Sequence, residues 1–143
     1  MRLIDLNLLL YAVDSSSPRH AAAHAWVEEA FSGSDTVALS WSVLLGFIRL
    51  TTRPPIFERP LTPTRAFDLI DSWLALPAVT VIHPTDRHAA ILRGLLEEAG
   101  TAGNLTTDAH LAALAIEHGA ELCSTDTDFA RFRGIRYTNP LAG

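Results

Sequence analysis

The sequence predicts an α/β fold in which a parallel sheet of four to five short strands is covered by helices on both faces. Two observations lead there. Short runs of strand length fall at residues 3–4, 36–40, 79–82, 120–123 and 136–138, and helical patterns separate them. The first of these runs is apolar on both sides rather than alternating, as strands buried on both faces of a parallel sheet are.

The elements follow in order. Leu3 and Ile4 open the first strand, Asp5 comes where it should end, and Asn7 is placed to cap a helix over 8–13. Pro18 suits the first turn of the next helix, about 19–31, where Ala22, Trp26, Val27 and Ala30 fall near one another. After the 36–40 strand, Ser40 or Ser42 caps an apolar helix over 43–50. Residues 53–63 hold four prolines and exclude both helix and central strand. Helices follow at 64–75 and 86–99, on either side of the 79–82 strand. The next helix, capped by Asn104 or Thr106, has a body of small apolar residues that lets it lie close to a sheet, and Gly119 stops it. A short helix through Phe129 and Ala130 precedes the last strand. Residues 1–143 read as one domain, without repeats or an internal boundary.

Composition narrows the function. At 143 residues the chain can bury roughly 68–70% of its unfolded surface without staples. A lone Cys123 rules out an internal disulfide and any thiolate metal cluster. No apolar run reaches the 18 or more residues of a membrane span, and Met1–Asp5 is too brief an apolar run for a secretory signal, so a cytoplasmic protein is expected. The net charge of −5 argues against a generic nucleic-acid binder. All 11 basic residues are arginine. Without lysine there is no P-loop and no Schiff-base chemistry, and a phospho-acceptor receiver, with Asp at a strand end, would lack its signalling lysine.

The acids carry the chemistry. Asp5 and Asp126 follow strands directly, Asp128 comes just after, and Asp108 sits in the first turn of the 104–118 helix. Ligands in such sheets sit at the carboxyl edges of the strands, so the acids gather on one rim. Each alone has a structural role available to it, Asp108 against the helix dipole and Asp126 and Asp128 in turns. Together they repel one another unless a cation neutralises them, and oxygen-only ligands suit Mg²⁺ or Mn²⁺. The chemistry this favours is attack on a phosphodiester by a metal-activated water, with a second ion roughly 3.5–4 Å from the first where two bind. His20 and His24 are spaced i, i+4 on a helix, without an apparent third ligand; they read as helix surface. His110 and His118 flank the 104–118 helix as surface or supporting groups.

Leu3-Ile-Asp-Leu-Asn7, Asp108-Ala-His-Leu-Ala-Ala-Leu-Ala115 and Ser124-Thr-Asp-Thr-Asp-Phe129 together resemble the PIN-domain ribonuclease toxins of VapC type. Trp41 through Pro54, Phe57-Glu-Arg-Pro-Leu61 and the ending from Phe129 to Leu141 resemble a mycobacterial-type branch of that family. The resemblance implies a PIN-like three-layer α/β/α fold and a Mg²⁺- or Mn²⁺-dependent endoribonuclease toxin. It also implies a homodimer and a small cognate antitoxin that inhibits it. Asp5, Asp108 and Asp126 correspond to the catalytic metal ligands, with Asp128 as an auxiliary carboxylate. Thr125 and Asn7 correspond to supporting groups. RNA contacts are expected from Arg49, Arg53 and Arg59 near the Pro-rich segment, and from Arg131 and Arg133 after the Asp126 loop. One departure is visible: many PIN domains carry a glutamate on the helix after the second strand, and Gly46 falls about there. That leaves open a second reading, a PIN-like adaptor that binds RNA or a protein without cleavage.

Overall fold

A computed structural model describes residues 1–142. Five three-residue strands, β1 (Arg2–Ile4), β2 (Val37–Leu39), β3 (Val79–Val81), β4 (Glu121–Cys123) and β5 (Arg136–Thr138), form one all-parallel sheet. Their order is β3-β2-β1-β4-β5. The chain therefore builds outward from β1 in one direction, then returns and builds outward in the other. The place where that direction changes is the crevice between β1 and β4, at their carboxyl ends. Open α/β sheets bind ligands in such a crevice. Asp5 lies in it, its N–H donated to the Cys123 carbonyl at 3.0 Å.

Six helices cover the sheet: α1 (Leu6–Val13), α2 (His20–Ser32), α3 (Trp41–Thr51), α4 (Pro63–Leu74), α5 (His88–Ala99) and α6 (Thr106–His118). Packing joins α1 to α2 and α3, α3 to α4, and α5 to α6. The central strands are sealed, with Leu3, Ile4, Val37, Ala38, Leu39 and Leu122 all at 0% exposure. The small-residue body of α6 does what its composition suggests, burying Ala109 and every residue from Leu111 to Ala115. Gly119, at φ 64°, ends that helix in the left-handed region that favours glycine. Among the described residues no helix is long and apolar enough to cross a membrane.

Two expected caps are corrected. Asp5, not Asn7, caps α1: its Oδ1 accepts the Leu6 N–H at 2.8 Å, the helix starts at Leu6, and Asn7 is inside it. Neither Asn104 nor Thr106 caps α6, because a 3-10 turn over Gly103–Leu105 runs straight into that helix and leaves no extended residue to hold a cap. Ser40 does cap α3, accepting the Val43 N–H at 3.3 Å.

A polar chain fastens α5 to α6. Glu117 accepts from Thr85 N–H and Oγ1–H at 2.9 and 2.6 Å, and from His88 Nδ1 at 2.5 Å. The other nitrogen of His88 lies 2.9 Å from His110 Nδ1. Burial alone would raise the Glu117 carboxyl, but the bonds from His88 and Thr85 outweigh it and hold it below its ordinary range.

The α1–α3 contact is close at one point: a Cβ built on Gly46 would lie 2.7 Å from Leu6 Cδ2. Leu6 Cδ2 is the tip of a half-buried side chain that can turn aside, so Gly46→Ala is expected to gain less than the roughly 1 kcal/mol of helix propensity that alanine brings, the shortfall being what Leu6 loses by moving. In a Leu6→Ala background the same change should gain more. Urea unfolding of the four proteins measures the coupling; strictly additive effects would show that Leu6 is not what keeps position 46 small.

Candidate metal centre

The acids reach one place from three elements. Asp126 and Asp128 come from the turn after β4, where Asp126 Oδ1 accepts the Asp128 N–H at 2.9 Å and starts a 3-10 helix over Thr127–Arg131. Asp108 comes from the first turn of α6. One carboxylate oxygen from each of these three lies within 4.8 Å of the others. Asp5 is beside them and accepts one hydrogen bond on each oxygen, Oδ1 from the Leu6 N–H and Oδ2 from the Ser124 hydroxyl at 2.6 Å. Asp128, expected as an auxiliary, is thus in the cluster, and Asp5, expected as a metal ligand, is the first of the neighbouring charges that act on Asp108.

Ser124 is the group that the sequence reading passed over in favour of Thr125. Its hydroxyl donates to Asp5, accepts the Asp126 N–H at 2.9 Å, and accepts Asn7 Nδ2–H at 3.3 Å. One donor and two acceptors are all that a hydroxyl has. The Thr125 side chain makes no hydrogen bond among the described residues. The signal for Ser124 was its place one residue past β4, at the same edge as Asp5. Two buried polar atoms nearby have no partner among the described residues, Asn7 Oδ1 and the Tyr137 hydroxyl. Tyr137 is raised by burial and by the charges of Asp126 and Asp5.

Electrostatics agree with the geometry. Asp108 is raised from 3.8 to about 6, by burial first and then by the charges of Asp5, Asp126 and Asp128. Asp5 is raised by burial, against the pull of its bonds from Ser124 and Leu6. Carboxylates that disfavour one another's ionisation, with oxygens this close, fit a hard divalent cation. Cys123 is no rival centre, since burial pushes its thiol up to about 12.

The arginines divide. Arg131 lines a cavity of about 310 Å³ together with Asp108 and Asp128. Arg133 is paired with Glu98 at 2.9 Å. Arg59 lines a separate cavity with Asp14 and Glu58 that shares no wall with the acids. Arg49 is in the last turn of α3, about 12 Å of helix rise from Trp41, and Arg53 lies just beyond. No acid comes from α3, and Leu6 presses on Gly46 where the sequence comparison expected a glutamate. His20 Nδ1 bonds the Tyr11 carbonyl at 2.9 Å, His24 pairs with Glu28 at 3.7 Å, and His118 donates to the His83 carbonyl at 2.7 Å.

Residues 2–135 match the PIN domain family. The chain is 46% identical over 142 residues to Ribonuclease VapC37 of Mycobacterium tuberculosis, covering 99% of both chains. VapBC2 from Rickettsia felis, solved bound to a DNA fragment from its promoter, superposes with a TM-score of 0.70 at 19% identity, over 96% of this chain and 97% of that one. The Mycobacterium tuberculosis toxin VapC20, described as cleaving the sarcin-ricin loop, superposes with a TM-score of 0.68 at 19% identity, over 95% and 99%.

The raised Asp108 carboxyl has a measurable sign. Between pH 3.8 and about 6 the folded chain keeps a proton that the unfolded chain has lost, so ionisation of Asp108 costs stability as pH rises through that window. His110, lowered by burial and by His88, acts in the opposite sense, but it does so equally in an Asp108 variant. In EDTA, Asp108→Asn is therefore expected to melt higher than the parent at pH 7.5, with the gap narrowing as pH falls below about 6 and closing only near 3.8. A gap independent of pH would show that Asp108 is not repelled by its neighbours.

Proposed function

Because the chain belongs to the PIN-domain family, in its VapC ribonuclease branch, we propose that it is a metal-dependent endoribonuclease, the toxin of a toxin–antitoxin pair. The observation that carries this is the convergence of Asp108, Asp126 and Asp128 at the carboxyl end of β4, with oxygens within 4.8 Å. Residues 1–143 act in this reading as one PIN domain, with RNA as the substrate in the cytoplasm.

Asp5, Asp108 and Asp126 would hold the ion, Mg²⁺ or Mn²⁺, with Asp128 as a further carboxylate within reach. Such an ion activates water as a nucleophile and offsets charge building on the phosphate. The chain's own work is to hold the acids in place. Ser124 fixes Asp5 and the Asp126 backbone through one hydroxyl, and Asn7 supports Ser124. Asp108 must lose its proton before it can ligate, which favours activity above pH 6.

Purified protein freed of its antitoxin is expected to cut single-stranded RNA with Mg²⁺ or Mn²⁺ and not in EDTA. Asp126→Asn should abolish cleavage with the fold retained. Ser124→Ala should raise the metal concentration needed by about 10–100-fold, as losses of supporting groups do. Undiminished cleavage in EDTA would overturn the metal mechanism. Metal-dependent RNA binding without cleavage would make the protein an adaptor.

The partner reading has its own surfaces. A groove of about 600 Å³ runs between α2 and α4, walled by Val27, Phe31, Leu69 and Trp73, with Glu28 and Arg65 also lining it. It suits the apolar face of an antitoxin helix. Trp41 and Leu45, one turn apart on α3, are 44% and 60% exposed and offer a face for a homodimer. Leu69→Glu is expected to abolish co-purification with the antitoxin, and Leu45→Glu to halve the mass seen by light scattering. Retention of the complex and of the dimer in these variants would send both interfaces elsewhere.

A further inference from the structure

The cavity beside the acids has a second wall with no assigned role. It is formed by the α5–α6 connection, where Gly100 at φ 76° and Gly103 at φ 46° fix a backbone that other residues would strain to adopt. Between and beside them, Thr101 and Asn104 line the cavity, with Leu105 as an apolar lining residue. Arg131, in the same 3-10 helix as Asp128, lines the cavity with them. The cavity, about 310 Å³, is at the lower end of the roughly 300–1,000 Å³ typical of small-molecule sites.

The polar groups on this wall are free to bind. Arg131 makes no ion pair among the described residues, although Asp128 is three residues away, whereas Arg133 is tied to Glu98. The side chains of Asn104 and Thr101 make no hydrogen bonds among the described residues. A carboxamide offers two donors and an acceptor, the groups that read a base edge, and a guanidinium offers a planar fork that matches phosphate. Single-stranded RNA is recognised by such edge contacts once a base is turned out of its stack.

We propose that this cavity is a subsite for one nucleotide next to the scissile bond, with its phosphate on Arg131 and its base on Asn104 and Thr101. The proposal rests on the ribonuclease reading above and says where that enzyme senses sequence. One end of the nucleotide meets the acids and their cation, and the other meets the guanidinium. An arginine beside an acidic centre thereby acquires a function that a generic basic patch would not supply.

The test is a titration of the protein with the four ribonucleoside 5′-monophosphates in Mg²⁺, followed by NMR of the Asn104 amide and Arg131 Nε signals. Inorganic phosphate and the free nucleosides serve as separate arms. Mononucleotides should move both signals, phosphate that of Arg131 alone, and nucleosides that of Asn104 alone. Arg131→Ala should weaken mononucleotide binding about tenfold or more, and raise KM for RNA with kcat little changed. Asn104→Ala should flatten the preference among the four bases and, in mapped cleavage ends, at one position beside the cut. Unmoved signals, or variants that bind and cut as the parent does, would overturn the proposal. So would variants impaired only in antitoxin binding, which would make the wall a protein contact. Nucleotide binding here by a protein that cuts no RNA would sink the ribonuclease reading and leave the subsite standing.

Discussion

The parallel pairing of β1 with β4 is the constraint on which the site depends. Residues 2–4 and 121–123 are far apart in the chain, and their register sets Ile4 beside Cys123. The next residues out of each strand, Asp5 and Ser124, are thereby within 2.6 Å through their side chains. Slipping the register by one residue would turn the side chains of β1 to the opposite face and break that bond. The core enforces the register, because Leu3, Ile4 and Leu122 are fully buried. Site geometry is in this sense a consequence of hydrophobic packing several ångströms below it.

What the packing assembles is electrostatically unfavourable. Burial and mutual repulsion raise Asp5 and Asp108. The chain limits the cost with hydrogen bonds: the Asp5 carboxylate accepts one on each oxygen, and Asp126 caps its own turn. The remaining repulsion is directed at the open side, where Asp108, Asp126 and Asp128 face one another. A site of this kind stores its affinity for a cation as strain among its ligands. Local rules of capping and turn formation and the needs of a metal centre are met by the same side chains.

Much of this was legible in the sequence. Short strands alternating with helices gave the sheet, and Asp5 directly after β1 and Asp126 three residues past β4 put the acids on its carboxyl edge. The helix with the small-residue body and its closing glycine behaved as the pattern predicts. What was not legible depended on distance rather than on type. Ser124 and Thr125 are equivalent as letters, and only the direction of the chain as it leaves β4 decides which hydroxyl turns inward. Asn7 looked like a cap because it is a good one, but Asp5 already bonds the first free N–H. The meaning of Gly46 required knowing that Leu6 lies across from it. The cavity wall at Thr101 and Asn104 leaves no signature in composition, since a polar loop with glycines reads as any connection between helices.

The chain from Glu117 through His88 to His110 is directional. An ionised Glu117 can only accept, so His88 Nδ1 must carry hydrogen. When His88 is neutral its Nε2 is bare, His110 must donate from Nδ1, and the outer nitrogen of His110 is left as an acceptor. When His88 takes up a second proton, Nε2 donates instead, His110 Nδ1 becomes the acceptor, and its outer nitrogen carries hydrogen. A carboxylate near the end of α6 thus fixes one end of a tautomeric relay. The polarity at the far end, two residues from Asp108, then reports whether one proton has arrived.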